Sequence, residues 1–110
     1  MPARSAQASA AEALIPGATG AEVDAAARLA LKEAGLEREF FHGTGHGVGF
    51  RYHENYPILG PDSTDQIAIG HVVTIEPGVY GAGFGLRLEA DVAVTAAGPQ
   101  WLSRRPAALS

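Results

Sequence analysis

At 110 residues the chain has room for one small domain, with a core but no large margin. Its formal net charge of −4 and lack of any Lys/Arg cluster exclude a phosphate-neutralising surface, so nucleic acid is not an expected partner. The absence of cysteine excludes disulfides and thiolate zinc sites and suits a reducing cytoplasm, where we place the protein; no apolar run reaches the ~20 residues a membrane span needs.

Residues 1–15 read as an alanine-rich helix that Pro16-Gly17 stops. They lack the contiguous apolar region of a secretory signal, and Glu12 argues against a transit peptide. Thr19-x-x-Glu22 is a capping box opening a second helix, which runs to about Ala34 and ends at Gly35. Val23, Ala26, Ala27, Ala30 and Ala34 form its expected buried stripe, with Glu22, Lys32 and Glu33 in water. A stripe of alanines lets a helix approach its neighbour closely.

From Phe40 onward the pattern turns to β. Val48 to Tyr52 suits a strand, and residues 55–70 read as loop, with Pro57, Gly60 and Pro61-Asp62. His71 to Glu76 is a strand that Pro77-Gly78 terminates, and Gly81-Ala-Gly-Phe-Gly85 is a glycine-rich turn. Leu86 to Thr95 is the cleanest strand: Leu86, Leu88, Val92 and Val94 are apolar, and Arg87, Glu89 and Asp91 fill the other face. Gly98 makes a turn, Trp101-Leu102 opens a short closing segment, and Arg104-Arg105 belongs to a solvated tail. Two helices followed by antiparallel strands make an α+β domain.

Chemistry concentrates in three islands. His42-Gly-Thr-Gly-His46-Gly-Val-Gly is followed by His53-Glu54; Thr74-Ile75-Glu76-Pro77-Gly78 and Arg87-Leu88-Glu89 supply carboxylates. If the two strands pair antiparallel through the 77–85 connection, Glu76 and Glu89 face each other across the ladder. Two carboxylates that close repel unless something positive lies between them. A divalent cation with His46 as third ligand resolves the conflict, and Arg87 can hold one carboxylate in place. Oxygen-rich ligation with one imidazole suits Mn²⁺ best and tolerates Co²⁺ or Zn²⁺. Each island also has a plainer reading: a wet strand face, glycines serving only a tight turn, a structural histidine. A serine or cysteine hydrolase finds no support, since there is no cysteine and no serine in a nucleophile elbow.

These islands resemble the C-terminal half of the M24 metallopeptidases, the pita-bread fold of methionine aminopeptidases, aminopeptidase P, prolidase and creatinase. Pro16-Gly17 with Glu22-Val23-Asp24 and Arg28, the Phe41-to-Gly49 histidine tract with His53-Glu54, Thr74 to Tyr80, and Gly85 to Glu89 match four family motifs in order. The similarity covers about residues 10 to 103. The resemblance implies an α+β domain with helices packed on an antiparallel sheet, and makes 1–110 a single truncated catalytic domain. Arg87-Leu-Glu89 and Glu76-Pro-Gly-Val-Tyr80 look like the Xaa-Pro peptidase branch. Carried over by position, the implied metal ligands are His46, Glu76 and Glu89, with Glu89 bridging. Glu76 also falls on the acid–base position, His42 and His53 on substrate-contacting histidines, and Arg87 beside the bridging ligand.

The 110 residues depart from the family in one way that matters. The Asp-x-Gly and Ser-Asp-x-x-Arg tracts that carry the family's two aspartate ligands are not among them, and Asp24 is no substitute. His71 and Ala90 replace common family residues without removing a ligand. The implied substrate is a peptide with proline second, and the implied partner is a complementing N-terminal half or a second copy of the chain. A non-catalytic remnant or interaction module of the same fold is the alternative. A creatinase-like, metal-free use fits less well, because Glu76 and Glu89 are retained.

Overall fold

A computed structural model describes residues 2–35, 43–48, 56–81, 84–87 and 89–102. Helix α1 spans Pro2–Glu12 and helix α2 spans Gly20–Glu33. The turn between them uses Gly17 at φ +93°, where its N–H donates to the Ile67 carbonyl at 2.8 Å. Thr19 then caps α2 as expected. Its hydroxyl accepts from the Glu22 N–H, and the Glu22 carboxylate accepts from the Thr19 N–H, each at 3.2 Å. Beyond the other end, Gly35 adopts φ +78°.

The buried face of α2 is Gly20, Val23, Asp24, Ala27 and Leu31, rotated from the expected stripe. Ala26 and Ala30 are half-buried and Ala34 is exposed. The reason is size and polarity: Leu31 has more apolar surface to remove from water than any alanine, and Asp24 is drawn inward by partners that the helical period does not reveal. Small residues still set the helix–helix contact, where Ala6, Ala10 and Ala11 of α1 join Val23 and Ala27 in one core.

The strands are β1 (Gly45–His46), β2 (Ile58–Leu59), β3 (Val72–Ile75), β4 (Gly78–Gly81), β5 (Phe84–Arg87), β6 (Ala90–Thr95) and β7 (Gly98–Trp101). All described pairings are antiparallel: β1 with β2, β3 with β6, β6 with β7, and β4 with β5. A bridge between Gly47 and Val73 joins the β1 segment to the free side of β3. The hydrogen bond from Val48 N–H to the Val72 carbonyl, 2.7 Å, extends that junction.

Two differences from the sequence reading stand out. Ile58–Leu59 forms a strand inside the segment read as loop, because pairing with Gly45–His46 organises two residues too short to show a period. The single strand expected over 86–95 is two, β5 and β6. The partner strands part at the same place, β3 ending at Ile75 and β4 beginning at Gly78, with Pro77, which has no N–H to give a ladder, between them. The expected strand over 48–52 lies, apart from Val48, outside the described residues.

Within β6 the alternation holds. Ala90, Val92 and Val94 are buried while Asp91, Ala93 and Thr95 are half-exposed. Val73 and Ile75 of β3 pair with Val92 and Ala90, so one sheet face is apolar and packs with Leu14, Val23 and Leu31 of the helical layer. The opposite face carries the polar residues.

Candidate metal centre

Two glycines admit the histidine strand. A Cβ on Gly45 would lie 1.9 Å from the Thr74 carbonyl oxygen, and one on Gly47 would lie 1.7 Å from the Tyr56 carbonyl oxygen. Both obstacles are backbone, so no side-chain rotation relieves them. The segment is wedged between β2 and β3, and only glycine permits that approach.

Thr44, fully buried, anchors the segment from three directions. Its N–H donates to the Leu59 carbonyl at 2.7 Å and to Asp24 Oδ1 at 3.1 Å, and its hydroxyl donates to the same Oδ1 at 2.9 Å. Its carbonyl accepts from the Glu76 N–H at 2.6 Å. Asp24, 1% exposed, also forms an ion pair with Arg28 one turn further along α2. Its charge is therefore balanced inside the protein, as a buried carboxylate requires.

His46 is fixed at both backbone and ring. Its N–H donates to Thr74 Oγ1 at 3.1 Å. Its Nδ1 lies 3.0 Å from the Gly47 carbonyl. A carbonyl only accepts, so this contact calls for a proton at Nδ1 and leaves Nε2 as the ring nitrogen that faces Glu76. That nitrogen lies 3.7 Å from Glu76 Oε2. The distance is longer than a hydrogen bond and within ion-pair range. Two metal–ligand bonds of about 2.1 Å each can bridge such a gap. The donor set and its spacing thus fit a divalent cation held between these two side chains. His46 is 43% exposed and Glu76 15%, so the pair is reachable from solvent while Glu76 is mostly shielded.

The β3–β6 register ends with Ile75 opposite Ala90, and Glu76 and Glu89 are the next residues along the two chains from that pair. The antiparallel pairing expected through the 77–85 connection is therefore present. Asp91, opposite Thr74, belongs to the same face. The Glu89 side chain is exposed, and among the described residues no three His, Asp or Glu side chains gather closely enough to hold a metal. The structure brings His46 and Glu76 together, and Glu89 follows the last β3–β6 pair on the neighbouring strand. His42 and His53 lie outside the described residues. Arg87 pairs through its backbone with Gly78.

Sequence reasoning passed over Thr44 and Thr74, and gave Asp24 and Arg28 no role beyond a motif. Thr44 sits between two glycines and Thr74 two residues before Glu76, and that adjacency was the only available signal.

Comparison with known proteins agrees with this architecture. Residues 2–96 match the model of metallopeptidase family M24. A probable dipeptidase PepE of Mycobacterium bovis is 48% identical over 92 residues, covering 82% of this chain and 24% of that protein. A Xaa-Pro dipeptidase of Pyrococcus furiosus is 40% identical over 100 residues, covering 90% of this chain and 28% of that protein. The crystal structure of dipeptidase PepE from Mycobacterium ulcerans superposes with a TM-score of 0.87 at 42% identity, over 96% of this chain and 28% of that one. The chain spans about a quarter of the length of these curated relatives. The family match over residues 2–96 and the superposition on dipeptidase PepE place the chain in metallopeptidase family M24, as an α+β piece of its pita-bread fold.

Proposed function

We propose that this chain carries the metal-holding part of a cytoplasmic metallopeptidase that hydrolyses the N-terminal Xaa-Pro bond of peptides. The observation that carries the reading is His46, its Nδ1 engaged by Gly47 and its Nε2 turned to Glu76 at 3.7 Å. The names of the relatives, dipeptidase and Xaa-Pro dipeptidase, supply the substrate class. No helix among the described residues is long and apolar enough to cross a membrane.

In this reading His46, Glu76 and Glu89 hold a divalent cation, Mn²⁺ in preference to Co²⁺ or Zn²⁺. When bound, such an ion supplies Lewis-acid polarisation of the scissile carbonyl and a water that is nucleophilic at neutral pH. Glu76, largely shielded and braced at its N–H by Thr44, takes the proton from the attacking water at its carboxylate and returns it to the departing proline nitrogen. His42 and His53 contact the substrate, and Arg87 steadies Glu89. A second metal position draws its aspartates from Asp-x-Gly and Ser-Asp-x-x-Arg tracts outside these 110 residues, on a complementing N-terminal half.

A second reading, a non-catalytic interaction module that self-associates, is favoured by one observation: the described His, Asp and Glu side chains form no group of three. Proline release from a dipeptide such as Met-Pro, with Mn²⁺, separates the two. The first reading expects release only when a polypeptide carrying the two aspartate tracts is added, and loss of that release in Glu76→Gln. No release in the mixture, with the chain eluting as a dimer by light scattering, would establish the second.

A further inference from the structure

We propose that Asp24 is a positioning residue, which acts through Thr44 to set the spacing of His46 and Glu76; as a statement about metal affinity it rests on the reading above. Asp24 lies on the buried face of α2 and touches neither His46 nor Glu76 in any described contact. Its Oδ1 accepts both the N–H and the hydroxyl of Thr44. Arg28 engages both oxygens of the same carboxylate, which fixes its plane. A surface helix needs no such buried anion for its own stability, and burying one is unfavourable unless its partners are in place.

Thr44 links that anchor to the site. Its carbonyl receives the Glu76 N–H at 2.6 Å, the shortest of the backbone bonds around the site. Two residues on, His46 is tied by its own N–H to Thr74, which immediately precedes Ile75 and Glu76 on β3. The two ligand positions are thus borne by two segments whose relative slide is limited at Thr44–Glu76 and His46–Thr74. Gly45 lies between the ties, and a glycine backbone has more freedom to drift than any other. The Asp24 clamp removes that freedom at the one residue through which both the histidine segment and the Glu76 backbone are held. Groups that orient metal ligands without touching the metal alter affinity roughly 10–100-fold when lost.

The test uses the whole 110-residue chain as Asp24→Asn, Thr44→Val and Thr44→Ser. Two readouts are taken: amide hydrogen exchange with the His46 ring resonances by NMR, and Mn²⁺ affinity by calorimetry. Thr44→Val keeps the shape and removes only the hydroxyl, so it answers the question should Asp24→Asn fail to fold. The expected result is faster exchange of the Glu76 amide and displaced His46 resonances in Asp24→Asn and Thr44→Val, with Val92 and Val94 amides unchanged. Mn²⁺ affinity falls about tenfold or more in both, and Thr44→Ser restores both readouts. Unmoved Glu76 exchange and His46 resonances in a folded Thr44→Val would overturn the proposal whatever Mn²⁺ does. Altered NMR signals with no Mn²⁺ binding by the parent chain would uphold the positioning role and overturn the metal reading instead.

Discussion

Replacing Gly45 by alanine tests the wedge that admits the histidine strand. The new Cβ would sit 1.9 Å from the Thr74 carbonyl oxygen and 2.7 Å from its carbon, well inside contact distance. Both atoms belong to the backbone of β3, in the middle of its ladder with β6, so the histidine segment must yield. Overpacking of this kind destabilises by about 1–3 kcal/mol. Parting the segments also strains the His46–Thr74 and Glu76–Thr44 hydrogen bonds, each contributing about 1 kcal/mol net. A more constrained unfolded chain returns about 0.4–1 kcal/mol. The expected net loss is about 3 kcal/mol, a large share of the 5–15 kcal/mol typical of a domain. With a urea slope of about 2 kcal/mol/M, the midpoint followed by far-UV circular dichroism falls by roughly 1.5 M. Gly60→Ala is the control, because its added Cβ would meet nothing closer than the Ile58 Cγ2 atom at 3.6 Å. Equal midpoints for the two variants would refute the wedge.

Three further outcomes follow from the packing. Leu31→Ala empties a fully buried site and is expected to lose about 2–5 kcal/mol in urea unfolding, whereas Leu29→Ala, at a position 56% exposed, stays within about 0.5 kcal/mol of the parent. Thr19→Ala removes the cap of α2 and lowers stability by about 1 kcal/mol; an unchanged melting curve would show the capping box to be idle. Thr74→Val preserves the shape of a buried residue while orphaning the His46 N–H, so a loss of about 1–3 kcal/mol is expected, accompanied by faster exchange of that amide.

What the residues disclose in advance depends on how local the cause is. The cap at Thr19 and the alternation of Val92 and Val94 with Asp91 each follow from neighbours a few positions apart, and each is found in the fold; the first helix, expected to run to Pro16-Gly17, ends earlier, at Glu12. The antiparallel pairing of the strands that flank Glu76 and Glu89 was also foreseeable, because a hairpin register propagates from its turn. Asp24 was not. Its burial depends on Thr44, twenty positions away, and on Arg28, one turn along the helix. The same holds for Ile58–Leu59, which is a strand only because Gly45–His46 lies beside it. The histidine-to-carboxylate approach was an inference from residue type, and its geometry rests on two threonines that carry no metal-binding signature of their own.

The glycines illustrate a further point. Gly45 and Gly47 read equally well as parts of a tight turn, and periodicity does not separate that use from close approach between strands. The separation comes from the carbonyls of Thr74 and Tyr56, which occupy the space a side chain would need. A motif that looks like punctuation in the chain is a packing requirement in the fold.

The central claim is that His46 and Glu76 together hold a divalent cation. Calorimetric titration of the chain with Mn²⁺, beside His46→Ala, tests it most directly. The account expects one ion per chain, with the binding heat abolished in the variant while its circular dichroism stays unchanged. Absence of binding to the parent chain, or equal binding by the variant, would contradict it.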